Sequence, residues 1–200
     1  MLCLTQPTDP RWGEIAVTNL PVLLQDHAHC EMKAASNALS LAARFPEYGD
    51  VARELALIAE EELRHFRAVL DELTKRGLAL GKPETDEYAA ELRKLARVGR
   101  YGAPEDPFVD RLLVAAIIEA RSCERFKLVM DALRVRGDEP ELLAFYEDLF
   151  ASEARHYRTF VELAESVKKD AAVVRRRLEG MALAEGELIR RLGTAPTMHG

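Results

Sequence analysis

Apolar residues recur along this chain at alternating steps of three and four, the period of an amphipathic helix, over four long stretches. The first runs from about Leu20 to Phe45 and stops at Pro46. The second runs from about Asp50 to Arg76 and stops at Gly77. The third runs from about Pro107 to Arg136, with Gly137 just beyond it, and the fourth from near Pro140 to about Lys169. Proline at a helix start and glycine just past an end are the expected punctuation. Short loops join the first stretch to the second and the third to the fourth, which predicts two antiparallel hairpins. The longer connection from Gly77 to Asp106 holds Pro83, Gly99, Gly102 and Pro104, with a short helical pattern around Tyr88 to Arg97, and suits a crossover. A fifth helix, roughly Ala171 to Leu192, is expected to pack outside. The pattern predicts an all-α four-helix bundle with a crossover connection and an extra C-terminal helix. We expect a single domain over 1–200, with the bundle over about 20–169 and the outer helix over about 171–192.

The buried stripe of each helix is apolar except near its middle. The first reads Leu24, Ala28, Glu31, Ala35, Ala38, Ala42, Phe45. The second reads Val51, Leu55, Ile58, Glu62, His65, Val69, Leu73. The third reads Leu112, Ala116, Glu119, Cys123, Phe126, Met130, Leu133. The fourth reads Leu142, Tyr146, Leu149, Glu153, His156, Phe160, Leu163, Val167. A carboxylate on a core face is costly unless it is neutralised, paired or bound to metal. Four of them at one level of a bundle would repel one another, and two divalent cations would balance their charge.

The second and fourth helices share a phrase, Glu-x-Arg-His-aromatic-Arg, at 62–67 and again at 153–158. Glu and His three apart lie roughly 60° apart around a helix, so both point inward. One Glu from each of two helices, with Glu-x-x-His from each of the other two, is the ligand set of carboxylate-bridged di-iron and di-manganese bundles of the ferritin-like type. The expected ligands are therefore Glu31, Glu62, His65, Glu119, Glu153 and His156. Oxygen and imidazole donors suit iron or manganese. A lone Glu-x-x-His is common by chance and reads equally well as a solvated, salt-bridged face. Two copies, each centred on an apolar stripe and each preceded by a stripe-centred Glu, are far harder to obtain by accident.

The third helix offers a second acid, Glu124, five residues after Glu119 and about 140° away around the helix. Its stripe continues into Lys127, Asp131 and Arg134, which reads as solvated. The pairs Cys30-Glu31 and Cys123-Glu124 look alike as local repeats and favour Glu124. Stripe position and spacing favour Glu119, which leaves Glu124 as a partner for a ligand histidine. Cys30 and Cys123 read as small buried hydrophobes. His27 and His29, within one turn of Glu31, face either the site or solvent. Arg64 and Arg155 are expected to pair with neighbouring helices.

Composition narrows the function classes. The net charge of −6 gives no global basic footprint for nucleic acid, so any such contact needs a local patch. Three widely spaced cysteines, without a CxxC, form neither a disulfide framework nor a zinc site. The first residues lack the pattern of a signal peptide, and no apolar run approaches a membrane span. These features predict a cytoplasmic protein with no membrane partner.

The stretches DHAHCEMKAA (26–35), EELRHF (61–66), IIEARSCERF (117–126) and SEARHY (152–157) resemble those of the tRNA 2-methylthio-N(6)-isopentenyladenosine hydroxylases, the MiaE family. The similarity runs from about Leu20 to the closing His199-Gly200. It implies a di-iron, O2-dependent monooxygenase that hydroxylates the isopentenyl group of the modified adenosine at position 37 of tRNA. It also implies two iron ions, O2 as co-substrate, and electrons from an external donor such as a ferredoxin or reductase. Candidate tRNA contacts are Arg93, Lys94, Arg97 and Arg100 in the crossover, and Lys168, Lys169, Arg175, Arg176 and Arg177 near the last helix. The competing expectations are a ferritin-like iron-handling protein, a peroxide-consuming di-metal protein, and a purely structural bundle.

Overall fold

The computed structural model describes residues 2–83, 86–95 and 106–199, with the side chain of Leu95 outside that description. Seven helices follow in order: α1 (Trp12–Thr18), α2 (Leu20–Arg44), α3 (Gly49–Lys75), α4 (Glu87–Leu95), α5 (Pro107–Arg136), α6 (Pro140–Lys168) and α7 (Ala171–Leu192). No strand occurs among the described residues. The five long helices match the sequence expectation to within a residue or so at each end. The short crossover helix is described as far as Leu95, and Arg97, Gly99, Arg100 and Gly102 lie outside the described residues. No helix among the described residues is long and apolar enough to cross a membrane.

Punctuation behaves as its chemistry requires. Asp106 caps α5 by accepting from the backbone N–H groups of Phe108 and Val109, at 3.0 and 3.3 Å. Gly137 ends α5 in the left-handed region, at φ 73°. At the end of α3, Gly77 takes φ 66°, and the amides of Gly77 and Leu78 return to the carbonyls of Thr74 and Leu73. Those two bonds satisfy carbonyls that the helix end would otherwise leave unpaired. A different device joins α6 to α7. Lys169 turns left-handed at φ 56°, and Asp170 then caps α7 through the amides of Ala172 and Val173.

The chain divides into two compact units. One comprises Ala16–Thr85 and Pro196–Met198. Its core is the α2–α3 hairpin, closed by the turn at 45–48. Leu24, Ala28, Ala35 and Ala38 of α2 and Leu55, Ile58, Val69 and Leu73 of α3 are buried, which is the stripe the periodicity predicts. The Gln25 amide donates to the Ala79 carbonyl (2.7 Å), and the Met198 amide donates to Asp26 Oδ2 (2.6 Å).

The other unit comprises Met1–Ile15, Asp86–Ala195 and His199–Gly200. Here α5 pairs with α6, and α7 packs on α4, α5 and α6. α5 is buried on several sides, so its hydrophobicity runs around the helix instead of along one stripe. Arg121 of α5 is fully buried and spends its donors on Glu185 of α7 (2.8 and 2.9 Å), Thr8 (3.1 Å), the Gln6 carbonyl (3.0 Å) and Glu124. The Tyr88 hydroxyl donates to the same Glu185 carboxylate at 3.0 Å. One cation thereby ties α4, α5, α7 and the N-terminal segment together. The seven-residue α1 was not legible in the sequence pattern, being too short to show a period. Its Trp12 is completely buried, donates to the Ala195 carbonyl (2.8 Å) and lies under the Arg125 guanidinium, 4.6 Å from the ring centre.

Candidate metal centre

Each unit holds one half of the predicted ligand set. In the α2–α3 unit, the donor atoms of Glu31, Glu62 and His65 lie within 4.8 Å of one another. His65 Nδ1 is 3.5 Å from Glu31 Oε2 and 3.4 Å from Glu62 Oε2. Both carboxylates are buried. The helical repeat explains the convergence, because Glu62 and His65 sit one turn apart on the buried face of α3 and Glu31 occupies the buried face of α2.

In the other unit, Glu119 of α5 and Glu153 and His156 of α6 form the counterpart, again with donor atoms within 4.8 Å. His156 Nδ1 is 3.5 Å from Glu153 Oε2, and all three residues are buried. Glu124 takes no part. Its two carboxylate oxygens accept from the Thr8 amide (2.9 Å) and hydroxyl (2.7 Å) and from Arg121. The solvated reading of Glu124 is thus replaced by a structural one, which depends on an N-terminal segment more than a hundred residues away.

The donor chemistry fits a divalent cation in each half. Donors about 2.1 Å from a common ion and tetrahedrally disposed are roughly 3.4 Å apart, close to the spacings seen here. Two carboxylates at −1 balance one ion at +2, and the imidazole binds as a neutral ligand. Cys123 is buried in α5. Burial first, and then the negative charge of Glu153, pushes its thiol up to about 12.

The residues flanking the ligands sort clearly. His27 is buried, and its Nε2 lies 2.6 Å from Glu31 Oε1. Sequence reading left its direction open between site and solvent. His29 is also buried, with no hydrogen-bond partner for either ring nitrogen among the described residues. Arg64 pairs with Glu61 of its own helix (3.2 Å), and Arg155 donates to the Ala151 carbonyl and the Ser152 hydroxyl of its own helix. These bonds lie within one turn of the same helix.

The basic clusters are partly spent. Arg177 grips Asp110 with two bonds of 2.7 Å, Arg175 reaches Glu165, and Lys94 pairs with Glu91. Arg93, Lys169 and Arg176 are exposed.

Residues 1–200 match the protein family described as tRNA-(MS[2]IO[6]A)-hydroxylase (MiaE). The chain is 40% identical over 186 residues to the tRNA 2-(methylsulfanyl)-N(6)-isopentenyladenosine(37) hydroxylase of Pseudomonas putida, covering 92% of this chain and 85% of that protein. It is 27% identical over 231 residues to the enzyme of the same name from Salmonella typhimurium, covering 91% and 79%. Among solved structures it resembles Protein 43 with aldehyde deformylating oxygenase activity from Synechococcus. That match has a TM-score of 0.86 and 36% identity, covering 100% of this chain and 96% of the other. The fold is ferritin-like.

Proposed function

The chain belongs to the MiaE family of tRNA hydroxylases, and from that premise we propose that its six acidic and imidazole residues hold two iron ions which serve hydroxylation of tRNA. The substrate is the isopentenyl group of 2-methylthio-N(6)-isopentenyladenosine at position 37, and the enzyme is a monooxygenase acting in the cytoplasm, where tRNA is modified. One observation carries the metal reading: a Glu, Glu, His set recurs in each unit, buried except for the partly exposed His65, and the charge of each set would balance one divalent cation.

Glu31, Glu62 and His65 would hold one ion, and Glu119, Glu153 and His156 the other. Iron bound there would supply the activation of O2 that an unreactive C–H bond requires. The protein's own residues do the rest. The carboxylates fix the ions in a water-poor core, where their charges are felt strongly. Each ligand histidine sits one turn from its partner Glu on a rigid helix, so the donor set is organised before any ion binds. The apolar stripes above and below the ligands exclude water. The chain has no CxxC pair to carry electrons, so an external electron-transfer protein such as a ferredoxin or reductase would supply them.

The likeness to the aldehyde deformylating oxygenase favours a second reading, in which the same centre acts on an aldehyde. One experiment separates the two. The protein is loaded anaerobically with ferrous iron, desalted and assayed for iron, then given O2 and a reductant with either isopentenylated tRNA or an aldehyde. About two irons per chain and a nucleoside heavier by one oxygen atom are expected, with Glu62→Ala and Glu153→Ala each losing about one iron. Formate released from the aldehyde with unmodified tRNA would establish the second reading. No iron bound would remove both, and tens of irons per chain would indicate storage.

A further inference from the structure

We propose that the corner where α6 turns into α7 is a docking surface for the phosphate backbone of tRNA, with Lys169 and Arg176 as its contacts; this deepens the tRNA reading above and rests on it. A protein that acts on one base of a folded RNA must also hold the backbone, and exposed lysine and arginine make such phosphate contacts. The chain carries a net charge of −6, so the contact needs a local reversal of sign. Residues 165–177 supply one. They hold five cations, Lys168, Lys169, Arg175, Arg176 and Arg177, against two anions, Glu165 and Asp170.

The partners of these side chains sort them into those that build the corner and those it presents. Asp170 accepts from the amides of Ala172 and Val173, so a carboxylate already occupies the start of α7. Arg177 grips Asp110 with two bonds of 2.7 Å and pins α7 to α5. Arg175 reaches Glu165 at 3.3 Å and draws the first turns of α7 against the end of α6. Lys169 takes the left-handed backbone, φ 56°, that turns one helix into the other, and its side chain is exposed. Arg176 is exposed as well. The crossover helix has no such excess of charge: Arg93 and Lys94 of α4 are matched by Glu87 and Glu91, and Lys94 pairs with Glu91.

The corner also lies at a usable distance from the chemistry. From His156 to Lys168 the α6 helix advances about 18 Å, at 1.5 Å per residue. A stacked strand advances about 3.4 Å per nucleotide, so the corner meets the backbone roughly five nucleotides from a base at the α5–α6 metal half.

The test measures binding of isopentenylated tRNA to the iron-loaded full-length protein by anaerobic fluorescence anisotropy, from about 50 to 200 mM salt. Lys169→Ala with Arg176→Ala removes the proposed contacts. Arg190→Ala with Arg191→Ala removes the same charge from exposed positions at the other end of α7. In the first pair the slope of log K against log salt should become shallower by about 1.5 to 2, and affinity should fall about tenfold to fiftyfold. The second pair should stay within about twofold of wild type. KM for tRNA should rise with the loss of affinity while kcat stays within about twofold, because a phosphate contact is made equally in the ground and transition states. Iron content should not change. Lys169→Arg with Arg176→Lys keeps both charges and should bind as wild type does. An unchanged slope in the alanine pair, with wild type still hydroxylating tRNA, overturns the corner and leaves the tRNA reading intact. Equal losses at the two ends of α7 also overturn it, because net charge alone would then be the cause. A wild type that neither binds nor hydroxylates the tRNA overturns the proposal together with the reading on which it rests.

Discussion

The phrase Glu-x-Arg-His-aromatic-Arg occurs twice, and its two settings differ. In the α3 copy the ligand histidine, His65, is 13% exposed, while its α6 counterpart, His156, is 3% exposed. Phe66 of the first copy borders an open groove on α3, lined also by Glu60, Leu63, Arg64 and Arg67. Tyr157 of the second is hydrogen-bonded to Cys3, and burial lifts its hydroxyl well above the ordinary tyrosine range. The α5–α6 half is also braced by the Arg121–Glu185 ion pair, both of whose side chains are fully buried. Duplication of a ligand set therefore does not duplicate its surroundings. Ligand identity follows from coordination chemistry and is the same in both halves. Access and stiffness follow from what covers each helix, and there the halves diverge.

The sharpest way to break that comparison is to remove each histidine separately. His65→Ala and His156→Ala should each lower hydroxylation by about three orders of magnitude, roughly 4 kcal/mol of transition-state stabilisation, measured as kcat/KM on isopentenylated tRNA. Added imidazole should restore His65→Ala more than His156→Ala, since the first position is the more accessible. Equal rescue, or better rescue at position 156, would mean that the difference in exposure has no bearing on access to the ions.

A second prediction concerns the brace. Glu185→Leu leaves the Arg121 guanidinium buried without its bidentate partner, which costs about 3–5 kcal/mol when a buried pair is broken on one side. For a chain of this size that corresponds to a drop in Tm of roughly 10 °C. The double variant Glu185→Leu with Arg121→Met should recover much of the loss, because two apolar residues in place of a buried pair are close to neutral. Differential scanning fluorimetry decides it. A drop of a degree or two in the single variant would show that the α5–α6 half does not depend on this pair.

The difference between the halves also marks what could be read from the sequence. The stripes through Glu62–His65 and Glu153–His156 were legible because helical period and ligand spacing are both local, and a sequence displays them directly. Glu119 was readable as a buried-face acid from stripe position and spacing together. The role of Glu124 was not, because it is set by Thr8 and Arg121, and Thr8 reaches it through tertiary packing. Trp12 and α1 were missed for the same reason: seven residues carry no period, and burial beneath Arg125 comes from α5. His27 lay between the two cases. Sequence left it open between site and solvent, and the 2.6 Å contact with Glu31 Oε1 gives its direction.

The smallest predicted effect again contrasts the halves, through the repeated Cys-Glu step. Cys30 is half-buried, with its sulfur 3.7 Å from Asp26 Oδ2, whereas Cys123 is buried and its thiol is pushed from 9.0 to about 12. A folded-state value above the unfolded one means that the native protein holds this proton more tightly. The associated stability is fully present below about pH 9 and is lost as pH rises toward 12. By pH 10.5 the loss should be on the order of 1–2 kcal/mol. Urea midpoints of metal-free wild type and Cys123→Ala, measured from pH 8 to 10.5, isolate this contribution, because the alanine variant lacks the thiol but keeps every other alkaline titration. The wild-type curve should fall more steeply, and parallel curves would show that the thiol of the α5 half is no more shielded than an unfolded one.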